Sequence, residues 1–266
     1  MTSRFISAVA LYGPKASPLH NFLASVQTLI AEHVGDGFLP YSLDQIHATL
    51  IALNGVPDPE TGAIVNEYYL EHTGVGLEMD IRRALRILAK HLERPLHVRI
   101  GGIEHHQAVP FVSRGQHLFE RAFSVQGNAF VLIGWPVAAL TGPDRPLDKL
   151  RRDMNAANVL HRYHPREADV DDDFYLVVGH HVDASSNALD RAVGAVREKL
   201  TTVPIDLEIG PGEVKIVAAD SHTMEPPQFV GDIPVDEAIL RKLMQRQRED
   251  SSVPDPGPRQ QVKREV

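Results

Sequence analysis

The sequence predicts an α+β domain made of two similar halves. Three observations carry that reading. Apolar segments alternate between strand-like and helix-like spacing along most of the chain, and a histidine-bearing strand stands in each half. Neither a long apolar run nor a cysteine framework offers a competing architecture. The 266 residues are 43% hydrophobic and 23% charged, enough for a proper core. No stretch approaches the roughly 20 apolar residues that span a bilayer, and the N-terminus lacks the pattern of a secretion signal. A cytoplasmic protein with no membrane partner is therefore expected. The absence of cysteine excludes disulfides, thiolate metal sites and cysteine nucleophiles together. A net charge of −8 argues against binding long nucleic acid, where basic surface supplies most of the affinity. A small nucleotide in a local positive pocket is compatible with that charge. No feature of the chain specifies an oligomeric state.

Residues 4–12 are apolar and rich in strand formers, and Gly13-Pro14 ends them. Over residues 18–33, Leu19, Phe22, Leu23, Val26, Leu29 and Ile30 recur at helical spacing, with Gly35 and Gly37 as a stop. Residues 46–53 read as a buried strand, closed by Asn54-Gly55. Residues 60–78 are poorly patterned and read as loop. Asp80 is a candidate N-cap for a helix over 81–93, whose inner face carries Ala84, Leu85, Leu88, Ala89 and Leu92. A strand follows over 96–103, while 104–124 shows no clear period. The continuous apolar run 129–135 suits a strand covered on both faces. A third helix spans 147–160. Asp171-Asp172-Asp173 reads as a solvated turn, 174–182 as a strand, and Ser185 or Ser186 as the cap of a helix reaching Leu200. Residues 205–209 and 213–219 form a hairpin about Gly210-Pro211-Gly212. The domain is placed at 1–224. Residues 225–266 are a tail with a short surface helix over 236–248, then polar, disordered chain.

The chemistry centres on His47-Ala48-Thr49. Alternation along a strand turns His47 and Thr49 to one face, a proton-transfer group beside a hydroxyl donor, which suits an anionic oxygen such as phosphate. On the later strand, Phe174, Leu176, Val178, His180 and Val182 form the more apolar side. His181 and Asp183 then fall on the open face. Fourteen histidines raise the question of a metal centre, but their spacings give it little support: there is no His-Glu-x-x-His, and two of the pairs are adjacent.

With those residues in view, the order of elements resembles the two-histidine (2H) phosphoesterase superfamily, which includes the RNA 2′,3′-cyclic phosphodiesterases also described as 2′-5′ RNA ligases. His47-Ala48-Thr49 matches its His-x-Thr/Ser motif, residues 4–9 resemble its opening strand, and 129–135 resemble the strand before its middle helix. The second motif departs, because His181-Val182-Asp183 has an aspartate where the family has a hydroxyl residue. The resemblance implies two pseudo-symmetric lobes, each an antiparallel sheet with helices on its outer face, around a central cleft. It also implies a phosphodiesterase that needs no metal or cofactor and acts on a small nucleotide or RNA end. His47 and His181 would be the acid–base pair and Thr49 a phosphate donor, with Asp183, Ser185 and Tyr41 toward the substrate. Tyr12, Tyr41 and Trp135 are candidates for stacking on a base. Two other readings stand beside this one: an inert nucleotide-binding member, and a histidine/carboxylate metal hydrolase.

Overall fold

The computed structural model describes residues 5–58, 60–164, 166 and 168–245. The chain opens with β1 (Phe5–Ala10), followed by α1 (Ser17–Val34), which ends at Gly35 in a positive-φ conformation that suits glycine. Next come β2 (Phe38–Pro40) and β3 (Ala48–Ala52). The stretch read as loop instead folds: β4 (Gly55–Pro57) and β5 (Ile64–Asn66) pair, and Asn66 caps α2 (Glu67–Thr73) by accepting from the Tyr69 amide. These elements are too short for periodicity to show them.

The Asp80 side chain accepts from the Arg83 amide and starts α3 (Ile81–Leu92), as its sequence position predicts. Then follow β6 (Leu96–Ile100), α4 (Leu118–Ala122), β7 (Phe123–Gln126), β8 (Ala129–Pro136) and α5 (Val137–Thr141). The third expected helix is shorter than its apolar spacing suggests: α6 (Pro146–Asp153) gives way to a tighter 3-10 turn over Met154–Ala157. The last elements are β9 (Phe174–His181), α7 (Ser186–Thr202), β10 (Ile205–Ile209), β11 (Val214–Ala219), β12 (Pro227–Asp232) and α8 (Glu237–Gln245).

The α+β class is as expected. Ten strands join one antiparallel sheet in the order β10-β6-β8-β9-β3-β1-β11-β12, with β2 added to β9 and β7 to β8. The expected hairpin between β10 and β11 does not form. β10 pairs with β6 and β11 with β1, at distant places in the sheet. Helix α1 packs on α7, and α3 on α6. Among the described residues, no helix is long and apolar enough to cross a membrane.

Two further expectations are corrected. The domain does not stop at residue 224: β12 extends the sheet beyond β11, and Leu240 and Met244 of α8 are fully buried in the main core. The expected disorder over 249–266 falls outside the described residues. The three aspartates are not a solvated turn either, since Asp171, Asp172 and Asp173 are all buried. Charge composition reports only a residue's average preference, and here buried arginines and hydrogen bonds compensate the aspartates.

The arginine at the centre of that cluster holds the sheet open and together at once. β3 and β9 share the single bridge Ala48↔Leu176 and then diverge. The buried Arg151 guanidinium fills the fork. It donates to the carbonyls of Thr49 (3.2 Å) and Leu50 (3.1 Å) on one side, and to those of Asp171 (2.8 Å) and Asp173 (3.1 Å) on the other. Four carbonyls that lack ladder partners are thereby satisfied.

Candidate active site

Which side chains share a face follows from the pairing. Ala48 and its partner Leu176 are buried in the main core. Thr49, paired with Val9, turns to the opposite face, where Val9, Val217, Ala219 and Met224 make a small second cluster with Phe5 and Tyr12 against it. His47 immediately precedes β3, and its ring lies 5.8 Å from the Tyr12 ring on this same face. The shared orientation of His47 and Thr49 is as expected.

His47 is held in one tautomer. Its Nδ1 lies 2.7 Å from the Gln45 carbonyl, which can only accept, so Nδ1 carries the proton and Nε2 presents the lone pair. Nε2 makes no hydrogen bond among the described residues and is not sealed from solvent. Burial holds the imidazole pKa below its ordinary 6.5 and the nearby Lys15 adds to this, against the pull of the Gln45 bond. The ring is therefore neutral at physiological pH. Lys15 itself is pushed down to about 8 by burial, partly offset by Asp44, and its Nζ donates to the Gly13 carbonyl at 2.9 Å. Its only trace in the sequence is a lone cation following the turn after the first strand. A cavity of about 460 Å³ opens next to it, lined by Tyr12, Gly13, Ser42, Leu43, Asp44, Glu225 and Pro227.

On β9 the face assignment is reversed from the expected one. The ladder with β8 skips a residue between Gly179↔Phe130 and Val177↔Val131, a bulge that shifts every later side chain to the other face. Gly179 permits it, because a Cβ there would sit 2.6 Å from the Phe38 ring and 2.7 Å from the Leu39 carbonyl. Past the bulge, the His180 ring stands 5.0 Å from the Tyr41 ring. Burial holds its pKa below 6.5, and His222 and His181 add to this. His181 instead packs 5.8 Å from Phe130 in the main core, with both ring nitrogens buried and unpartnered. Strict alternation, which placed His181 on the open face, fails because a bulge cannot be read from apolar spacing.

The remaining expected residues are occupied elsewhere. Asp183 is exposed in a left-handed turn (φ 53°) between β9 and α7. The Ser185 hydroxyl caps α7, accepting from the Ala188 amide at 3.3 Å. Trp135 is fully buried and donates from Nε1 to Asp173 (2.8 Å), so it cannot stack on a ligand. Tyr41 stays beside His180.

The ladder adds two positions that the sequence did not single out. They are Tyr175 and Val177, the β9 residues that flank the single bridge Ala48↔Leu176. Tyr175 donates its hydroxyl to Gln126 Oε1 at 3.2 Å. Elsewhere, the His164 ring bonds Asp148 at 2.7 Å, and no cluster of three or more His, Asp or Glu among the described residues has the geometry to hold a metal ion.

No family model matches the chain, and no curated protein matches it. Among solved structures, the crystal structure of TT0787 of Thermus thermophilus is similar, with a TM-score of 0.40 and 13% identity over 86% of this chain and 97% of that one.

Proposed function

We propose that the open face around the β3–β9 junction binds the phosphate of a small nucleotide or RNA end and cleaves its cyclic or 2′-5′ phosphodiester without a metal. The observation that carries this reading is the fixed, neutral tautomer of His47, whose free Nε2 is the lone pair a general base needs. Nε2 removes a proton from water, the water oxygen bonds to phosphorus, and the leaving oxygen departs with a proton from His180. An arriving phosphate favours the charged form of that second imidazole, against the burial that holds it neutral. The Lys15 ammonium neutralises phosphate charge, Thr49 donates to a phosphoryl oxygen, and Tyr41 flanks the base. The two-histidine resemblance supports the reading. So does the order of the main strand path, in which the β3–β9 junction falls midway, with β2 and β7 added on the β9 side.

One observation favours a second reading, an inert nucleotide-binding member. The β9 residues either side of the bridge that joins Ala48 to Leu176 are Tyr175 and Val177, and neither is a histidine or a hydroxyl donor of the family's type. A panel of 2′,3′-cyclic and 2′-5′-linked nucleotides, assayed for turnover with EDTA and for binding by thermal shift, separates the readings. The proposed hydrolase turns over at an unchanged rate in EDTA. Binding without turnover supports the inert member, and activity lost in EDTA overturns the metal-independent mechanism.

A further inference from the structure

A cavity lies on the helix side of the sheet, away from the face that carries Thr49. It encloses about 1050 Å³ between α3, α6, α5 and β6. That is the size of a generous small-molecule site, roughly 300–1,000 Å³. Its floor is apolar, built from Leu50, Leu92, Leu96, Leu147 and Leu150. Its walls are two helix faces. On α3, Arg83, Ile87 and Lys90 recur at spacings of four and three residues and so share one stripe. Arg94 continues this wall beyond the helix end, and Lys149 and Arg152 of α6 stand on the other wall.

Charge separates this cleft from the rest of the surface. The chain carries a net −8, yet the lining holds five lysines and arginines against the three carboxylates of Glu93, Asp144 and Asp153. One member of each set is already engaged, Asp153 by His91 at 2.8 Å and Arg152 by Asp148 at 2.7 Å. Arg83, Lys90, Arg94 and Lys149 make no ion pair among the described residues. An apolar floor under a positive rim is complementary to a molecule with an apolar body and a negative head.

We propose that the α3–α6 cleft is a binding site for a small amphipathic anion, its acyl or aromatic body over the leucine floor and its carboxylate or phosphate head at the Lys90–Arg94 rim. The proposal is independent of the chemistry on the opposite face. It is tested by titrating the full chain with the fluorescent fatty acid 11-(dansylamino)undecanoate and displacing it with dodecanoate or dodecanol. Saturable one-to-one binding is expected, with dodecanoate displacing the probe at least about tenfold better than dodecanol, the scale of a charge-assisted contact. The double variant Lys90→Glu/Arg94→Glu should bind the probe at least about tenfold more weakly, the scale of reversing charges at a polar rim. Both side chains are exposed, so this variant should keep the parent melting temperature. Ile87→Trp, which fills the cleft, should weaken binding of the probe at low and high salt alike. Absent or unsaturable binding overturns the proposal. So does equal displacement by the alcohol, or affinity unchanged by the double reversal.

Discussion

The backbone carbonyl of Gln45 determines which nitrogen of His47 can act as a base, and this makes the residue scale the most directly testable. His47→Ala should lower turnover by at least about 10²-fold, the low end for a positioned base, without unfolding the chain. The pH–rate profile tests the same assignment. Because the folded His47 imidazole titrates below 6.5, the acid limb of the profile should lie beneath that value, while the need for a protonated His180 gives a second limb on which activity falls as pH rises. An acid limb centred above 6.5 would show that another group is titrating. The neighbouring pair on β9 separates chemistry from packing. His180→Ala should reduce turnover by a similar factor, whereas His181→Leu should leave it unchanged. His181→Leu should also hold or raise the melting temperature, since it replaces two buried, unpartnered nitrogens with apolar surface. Activity lost in His181→Leu with a normal melt would move the catalytic imidazole to the core side of the bulge.

At the scale of elements, helix α8 and strand β12 belong to the folded unit, and removing them should be costly. Met244→Ala, from a fully buried position, should lose about 2–5 kcal/mol in denaturant unfolding. Chain ending at residue 224 should melt well below the parent. An unchanged melting temperature after that truncation would return α8 to the surface. The long elements were legible because each carries its own signal, as α1 and α3 show with their apolar spacing and the Asp80 cap. The tail was misread because Leu240 and Met244 look like scattered apolar residues among charges until α3 and β4 are placed beneath them. His47 and Thr49 were legible since alternation on β3 is regular where they sit. Lys15, Tyr175 and the His180 face were not, because they depend on ladder register, a bulge and a turn that no local pattern encodes.

For the whole molecule, the buried aspartates set a pH signature. Burial raises Asp172 to about 6, against the pull of the Asp148 amide and of Arg151 and Arg145. Its folded pKa exceeds the ordinary 3.8, so its contribution to stability is full below that value and is lost as pH rises through about 6. Asp148 has the opposite sign. Burial would raise it, but its bonds to His164, Arg152 and the Asp171 amide bring it down to about 2, so its contribution is present above 3.8 and lost as pH falls through 2. Asp172→Asn should therefore remove a slope of about 2–3 kcal/mol in unfolding free energy between pH 4 and 6, an order-of-magnitude value for a shift of this size. An unaltered slope would assign it to another group. The same sheet has a consequence in time. β1 lies between β3 and β11, so this strand has one neighbour within the next few dozen residues and the other only at residues 214–219. During translation its outer edge stays unpaired for most of the chain's length, with its carbonyls and amides open to any other strand in the cell. Closure of this sheet is therefore a late event, and a ribosome stalled before β11 emerges would present a chaperone with the exposed edge of β1.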